Sequence, residues 1–186
     1  MAAEPIDLVD AGRGPVIEPM RRRHLRAVAR IEQHSYRRPW SSGVFLSELA
    51  QGEGRTYLVA AVDGRVVGYG GTMFVLPDAH ITTIAVDPAQ RRGGVGSRLL
   101  VALCRDAIER GATALTLEVR VSNHAAQALY RSFGFAPAGA RKGYYPPDAD
   151  GPAEDALVMW AHDIDQPAFT TRLADIEARL EHVTAR

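Results

Sequence analysis

Two side chains, the carboxylate of Glu118 and the phenol of Tyr130, are of the types that proton transfer requires. Glu118 is a lone acid near the end of the apolar segment 114–119, and Tyr130 lies in the helical segment that follows it. A carboxylate can take a proton from an amine whose pKa is near 8, and a phenol can return one to a leaving group. Strand alternation alone would put Glu118 in solvent, and Tyr130 could simply pack against a sheet. The pattern by itself therefore favours a structural explanation for both.

A basic, glycine-rich loop stands between an apolar segment and a long helical one, with the sequence Arg91-Arg92-Gly93-Gly94-Val95-Gly96-Ser97. Unpaired N–H groups at a helix start and the helix dipole favour an anion, and glycine lets the backbone approach a phosphate. The sequence has no Lys-Ser or Lys-Thr pair as in a P-loop, and the spacing differs from the dinucleotide fingerprint Gly-x-Gly-x-x-Gly. We therefore predict a phosphate-binding loop of another kind.

Hydrophobic periodicity predicts the elements that position these residues. Asp63-Gly64 predicts a tight hairpin, and Gly68, Gly70 and Gly71 predict a bend or a close backbone approach. Residues 143–153 are rich in Pro and Gly and are predicted to form a loop. Hairpin-linked strands followed by one crossover helix predict a mixed α/β fold, with a mostly antiparallel central sheet and helices on both faces. We predict strands over residues 16–20, 56–62, 65–75, 80–86, 114–119, 135–140 and 156–162, and helices over 22–33, 41–51, 96–110, 122–133 and from about 167.

The composition is that of one globular domain, with 186 residues, 46% of them hydrophobic and 24% charged. Basic and acidic residues balance, so nucleic-acid binding is not predicted. No apolar run reaches the roughly 20 residues of a membrane span, and the N-terminus lacks a signal-peptide core. The single Cys104 excludes an internal disulfide, and the histidines lack metal-ligand spacing. We predict a cytoplasmic protein without a metal or membrane contact.

The chain is expected to have three parts. These are a flexible arm over residues 1–14, a catalytic domain over 15–163 and an amphipathic C-terminal helix over 164–186. The helix would pack on its own domain, with a dimer seam as the alternative, so we predict a monomer or weak homodimer. Its apolar stripe comprises Phe169, Leu173, Ile176, Leu180 and Val183.

Several short motifs resemble one enzyme family. The spacing Arg91-x-x-Gly94-x-Gly96 resembles the acyl-CoA loop of the GNAT superfamily of N-acetyltransferases. The likeness is closest to the ribosomal-protein-alanine N-acetyltransferases, spans roughly residues 16–163 and implies the GNAT fold, with an extra helix at the C-terminus. The motifs that carry it are Pro39-Trp40-Ser41, Thr116-Leu117-Glu118-Val119-Arg120-Val121-Ser122-Asn123, Ala128-Leu129-Tyr130, Phe133-Gly134-Phe135, Arg141-Lys142-Gly143-Tyr144-Tyr145-Pro146 and Glu154-Asp155-Ala156-Leu157.

The resemblance assigns a role to individual residues. It implies acetyl transfer from acetyl-CoA to a protein N-terminal α-amine, with Glu118 as general base and Tyr130 as general acid. The preferred acceptor would be an N-terminal alanine of a small-subunit ribosomal protein, and a backbone N–H, that of Val86, would polarise the thioester. The other implied contacts are with the cofactor, at Ile84, Ala85, Val86, Arg91, Arg92, Gly93, Gly94, Val95, Gly96, Ser97 and Asn123, and with the acceptor, at Trp40, Tyr144 and Tyr145.

Some of these assignments have alternatives. Asn123 could cap the next helix, which is compatible with a cofactor bond, and Trp40 could plug the core instead of walling a groove. Gly93 stands where relatives usually carry a basic residue, so one phosphate contact is expected to be lost. The acceptor could instead be a lysine side chain or a small amine. A CoA-binding regulatory module without turnover is an alternative of a different class.

Overall fold

A computed structural model describes residues 14–147 and 151–184, so the predicted arm over 1–13 and part of the predicted 143–153 loop lie outside the described residues. Within these ranges, no helix is long and apolar enough to cross a membrane. The strands are β1 Val16–Pro19, β2 Arg55–Val62, β3 Arg65–Val75, β4 Asp78–Val86, β5 Ala114–Arg120, β6 Ala136–Tyr145 and β7 Glu154–His162. The α-helices are α1 Leu25–Ser35, α2 Ser42–Leu49, α3 Val95–Glu109, α4 His124–Ser132 and α5 Pro167–Thr184.

The strands form one sheet in the order β1-β2-β3-β4-β5-β7-β6. Neighbours are antiparallel except β4 and β5, which run parallel because α3 crosses over between them. The β4–β5 ladder contains only the pairs from Asp78–Ala114 to His80–Thr116. Beyond these pairs, β4 continues to Val86 and β5 to Arg120 without pairing with each other. A gap therefore opens in the middle of the sheet.

Helices cover both faces of this sheet. On one face, α1 and α2 surround an aromatic cluster in which the Phe45 ring lies between 5.4 and 6.2 Å from the rings of Trp40, Tyr57 and Tyr69. On the other face, α3 packs closely on β3, because a Cβ at Gly70 would come within 2.9 Å of Leu103 Cδ1. The close backbone approach predicted for this glycine-rich strand is therefore present.

The predicted C-terminal helix is α5, and it packs on its own chain. Phe169, Leu173 and Ile176 are buried in the core cluster that also contains the inner faces of α3 and α4. Arg105 of α3 forms an exposed double hydrogen bond with Glu177. The division of the chain into arm, domain and tail helix stays a prediction.

Several predicted boundaries differ from the structure, and two of the differences bear on the site. β4 begins at Asp78 instead of residue 80, because Asp78 pairs with Val75 across a tight turn. β6 runs to Tyr145, so Tyr144 and Tyr145 lie on a strand, whereas a loop was predicted from residue 143. The physical reason is tertiary, since pairing between Tyr145 and Glu154 of β7 returns this Gly-containing segment to the sheet.

Candidate active site

Glu118 lies at the gap between β4 and β5. Its neighbours Leu117 and Val119 point into the core, so alternation directs Glu118 to the opposite face of β5, where its side chain is only 8% exposed. His80 Nε2 lies 3.1 Å from Glu118 Oε2, and Arg141 Nε lies 3.0 Å from Oε1. Burial lowers the pKa of His80, while the Glu118 carboxylate opposes that shift. Glu118 is thus held between the imidazole of His80 and the guanidinium of Arg141.

Glu118 and Tyr130 line the same cavity, which has a volume of about 370 Å³. Tyr130 belongs to the core cluster on the α3 side of the sheet, whereas Glu118 faces the α1 side. Both side chains line one cavity because the gap between β4 and β5 connects the two faces of the sheet. Burial holds the pKa of Tyr130 well above its usual value, and its hydroxyl has no hydrogen-bond partner among the described residues. The phenol therefore stays protonated, as a general acid must.

One side of the cavity is built by the connection between α1 and α2. Tyr36, Arg38 and Trp40 line the cavity from this connection, and we call these three residues the acceptor wall. Trp40 also packs against Phe45, with ring centroids 5.4 Å apart, so it fills the core and borders the cavity at once. The Tyr36 hydroxyl donates to the Ile84 carbonyl, with an O···O distance of 2.8 Å, which connects the acceptor wall to β4.

The opposite side is formed by the end of β6. Tyr144 and Tyr145 both line the cavity, with their rings edge to face at 5.2 Å. The Arg120 guanidinium lies 4.0 Å from the Tyr145 ring, and that of Arg141 lies 5.7 Å from the Tyr144 ring. Burial raises the pKa of Tyr145 to about 12. Aromatic faces and cations therefore stand together at this mouth of the cavity.

The glycine-rich loop forms the start of α3, outside the cavity lining. Gly94 is the N-cap residue in the left-handed region, with a φ of 77°, and no side chain caps the helix. The first N–H groups of α3 consequently have neither an intrahelical nor a side-chain acceptor, which suits an anion. The Arg91 and Arg92 side chains are exposed beside them, while Val95 is buried and Gly96 and Ser97 continue the first turn. This geometry fits the diphosphate of a nucleotide cofactor.

The other residues predicted to contact the cofactor occupy different positions relative to the cavity. Ile84 lines the cavity, whereas Ala85 is buried and Val86 lies closer to the loop, outside the cavity lining. Asn123 is the N-cap of α4, where its Oδ1 accepts from the Ala126 N–H at 3.1 Å, and it also lines the cavity. The capping role of Asn123 is therefore confirmed, and its amide NH₂ is left for a ligand. Contacts of these residues and of Gly93 with a cofactor stay predictions.

Four residues of the site were not predicted. His80 reaches Glu118 through the parallel register that places it opposite Thr116, and Arg141 reaches it from β6. Nothing in the sequence indicates either contact, because both depend on strand pairing. Tyr36 was likewise missed. Glu32 could have been found from the sequence, because it is an acid that follows Leu25 and Val28 on the inward-facing stripe of α1.

Glu32 is the most unusual acid of the cavity, being only 3% exposed. Its Oε1 accepts the Trp40 N–H at 2.9 Å, and its Oε2 is buried without a hydrogen-bond partner among the residues that the structure describes. Burial raises its pKa from 4.5 to about 7, against the lowering effect of that hydrogen bond. A carboxylate in this setting costs free energy at neutral pH.

This cost predicts a pH-dependent stability. Between pH 4.5 and about 7, the folded protein holds a proton on Glu32 that the unfolded chain releases. Stability conferred by this group is therefore complete at low pH and lost as pH rises through that window. We expect Glu32→Gln to gain stability relative to the wild type between pH 4.5 and 8, by about 3 kcal/mol at most. Urea unfolding at several pH values measures this gain, and a difference that stays constant with pH contradicts it.

In the part of the chain that the structure describes, no group of three His, Cys, Asp or Glu side chains could hold a metal ion. Cys104 is buried on the inner side of α3, and burial raises the pKa of its thiol, which disfavours the thiolate form.

Comparison with known proteins places the chain among acetyltransferases. Residues 25–135 match the Acetyltransferase (GNAT) family. The [ribosomal protein bS18]-alanine N-acetyltransferase of Escherichia coli (strain K12) is 42% identical over 135 residues, which are 73% of this chain and 88% of that protein. The crystal structure of the ribosomal-protein-S18-alanine N-acetyltransferase from Escherichia coli superposes with a TM-score of 0.72 at 39% identity, covering 80% of this chain and 94% of that one. Ard1 from Thermoplasma volcanium has a TM-score of 0.72 at 28% identity, covering 81% and 98%. These matches confirm the predicted fold class.

Proposed function

The chain belongs to the acetyltransferase (GNAT) family and is an N-acetyltransferase, and on this premise we propose that it transfers acetyl from acetyl-CoA to the α-amine of a protein N-terminus. The preferred acceptor is an N-terminal alanine of a small-subunit ribosomal protein. Support for this choice comes from the Escherichia coli relative, whose name specifies ribosomal protein bS18 and alanine. A cytoplasmic location follows from this substrate and stays a prediction.

The single observation that carries the mechanism is that Glu118 and Tyr130 line one cavity at the gap between β4 and β5. Glu118 accepts a proton from the acceptor ammonium, directly or through one water, so that the free amine can attack the thioester carbonyl. The N–C bond forms, and the nitrogen of the tetrahedral adduct loses a second proton to solvent. The C–S bond breaks as the tetrahedral carbon collapses to the amide. Tyr130 donates its phenolic proton to the departing sulfur, and solvent later restores that proton.

Acetyl-CoA itself fits the residues at the start of α3. The uncapped N–H groups that follow Gly94 donate to its diphosphate oxygens, with Arg91 and Arg92 as nearby cations. From there the pantetheine arm enters the gap beside Ile84, where β4 has no β5 partner. The backbone of β4 supplies hydrogen bonds to that arm, and the N–H of Val86 polarises the thioester oxygen.

Substitution of Gly94 tests the diphosphate site. Alanine at this position must adopt a φ of 77° and would meet Leu180 Cδ2 at 2.9 Å. We expect Gly94→Ala to raise the KM for acetyl-CoA about tenfold through a displaced loop, and to cost about 1–3 kcal/mol of stability. The matched control is Gly64→Ala. Gly64 has a similar φ of 73°, a Cβ there would meet nothing within 4 Å, and the residue lies in the β2–β3 hairpin instead of the glycine-rich loop. An unchanged KM for acetyl-CoA in Gly94→Ala would contradict this site.

The acceptor is tested with a peptide panel. Peptides that begin with Ala, peptides with a blocked N-terminus and an internal lysine, and small amines are each incubated with enzyme and acetyl-CoA, and products are read by mass spectrometry. We expect label on the N-terminal residue of the Ala peptides. Labelling that survives N-terminal blocking identifies a lysine acetyltransferase. CoA binding without any product identifies a regulatory module.

A further inference from the structure

Glu32 holds both ends of the connection between α1 and α2. Its backbone carbonyl accepts the Tyr36 N–H at 2.9 Å, and its carboxylate Oε1 accepts the Trp40 N–H at 2.9 Å. The chain from Tyr36 to Trp40 is thereby closed on a single residue of α1. All three members of the acceptor wall lie within this closed segment.

The segment has other attachments, and they differ in kind. The Tyr36 hydroxyl reaches Ile84 of β4, and Arg38 Nη2 donates to the Pro147 carbonyl at 2.8 Å, just beyond β6. The Arg38 contact is exposed and therefore weak. The Glu32 carboxylate is buried, so water competes little for its bond to Trp40.

A buried carboxylate with one unpartnered oxygen is expensive to keep, and the proton transfer assigned to Glu118 and Tyr130 makes no use of it. Oε2 is shielded from solvent, so it cannot meet an acceptor amine directly. An apolar side chain at position 32, on the inward stripe of α1, would fill the core with a smaller desolvation free energy than a carboxylate. The interaction that accounts for a carboxylate at this position is its hydrogen bond from the Trp40 N–H of the acceptor wall.

We propose that Glu32 is a positioning residue for the acceptor, which acts by fixing Tyr36, Arg38 and Trp40 against the cavity. This proposal rests on the proposed function and adds to it a residue that controls acceptor binding without touching the reacting atoms. The residues of the cavity then have different roles. Glu118 and Tyr130 transfer protons, whereas Glu32 shapes the surface that the incoming N-terminus contacts.

The test compares three substitutions at one position. Glu32→Leu removes the bond to Trp40, and we expect it to raise the KM for an Ala-initiated peptide about tenfold while kcat at saturating peptide and the Kd for CoA stay within about twofold. Glu32→Gln retains an amide oxygen for the Trp40 N–H, and its peptide KM should stay within about threefold of the wild type. Glu32→Asp shortens the reach of the oxygen by one methylene and replaces the leucine variant if that does not fold. Glu109→Leu, at an exposed acid of α3, is the control.

Two kinetic results overturn the proposal. One is an unchanged peptide KM in Glu32→Leu. The other is a large loss of kcat in Glu32→Gln with an unchanged peptide KM, which would assign proton transfer to Glu32 instead.

A measurement without turnover separates this proposal from the proposed function. In a Trp160→Phe background, Trp40 is the remaining tryptophan, and its acrylamide quenching reports the position of the acceptor wall. We expect Glu32→Leu to increase quenching about twofold or more and Glu32→Gln to leave it close to the wild type. If the wild type acetylates no N-terminal peptide, the proposed function fails, and the quenching result still decides whether Glu32 fixes the wall. Equal quenching in all variants overturns the proposal.

Discussion

Glu118→Gln is expected to lower kcat by about 10²–10³-fold, because the amide keeps the shape of the side chain but cannot accept a proton from the acceptor amine. The Kd for CoA should stay within about twofold, since the glycine-rich loop lies outside the cavity that Glu118 lines. Single-turnover transfer to an Ala-initiated peptide, together with CoA titration, measures both quantities.

The geometry around Glu118 makes the glutamine variant a clean experiment. His80 and Arg141 approach different oxygens of the carboxylate, so one of these contacts survives at the glutamine oxygen. Glu109→Gln, on the exposed side of α3, controls for the loss of one negative charge. The defect of Glu118→Gln should shrink as the pH is raised, because a peptide amine that is already neutral needs no base. A defect that does not shrink at high pH would argue that Glu118 holds the acceptor instead of deprotonating it.

Tyr130→Phe is expected to lower kcat by about 10²-fold, with little effect on the KM for either substrate. The thiolate of CoA leaves with a pKa near 8.5, and the Tyr130 hydroxyl is the buried proton donor of the cavity. Its pKa is raised by burial, so the phenol stays protonated across the working pH range and no basic limb should arise from its ionisation.

The fold offers a matched control for this phenol. Tyr69 is fully buried in the aromatic cluster on the α1 side, and within the described part of the chain its hydroxyl also lacks a hydrogen-bond partner. Tyr69→Phe removes a hydroxyl of the same kind away from the cavity, so kcat should stay within about twofold of the wild type. Equal activity of Tyr130→Phe and the wild type at saturating substrates would exclude Tyr130 as the general acid.

The sequence was most informative where local chemistry sets the structure. Asp63-Gly64, the apolar stripes and the glycine-rich loop each follow from properties of a few adjacent residues, and the elements they predict are present. The strand–loop–helix order was enough to predict an anion site, because an uncapped helix start has the same unpaired N–H groups in any fold.

The environment of Glu118 could not be obtained in this way. Alternation states which face of β5 a side chain occupies, but it does not state which strand lies beside it. His80 is adjacent because β4 and β5 pair in parallel for three residues, and Arg141 because β6 pairs with β7, which in turn pairs with β5. The position of Tyr144 and Tyr145 on a strand was missed for the same reason, since their strand exists only through its pairing with β7.

By itself, the sequence determined the order of the secondary elements and the family, and it predicted a phosphate loop and the pair of proton-transfer candidates, because these depend on residue types at short spacings. Only the tertiary structure decided that the sheet splits between β4 and β5, that side chains from both faces meet in that split, and that Glu32 is buried beside it. Such contacts join residues far apart in the chain, and they are selected by the packing of the whole sheet against its helices.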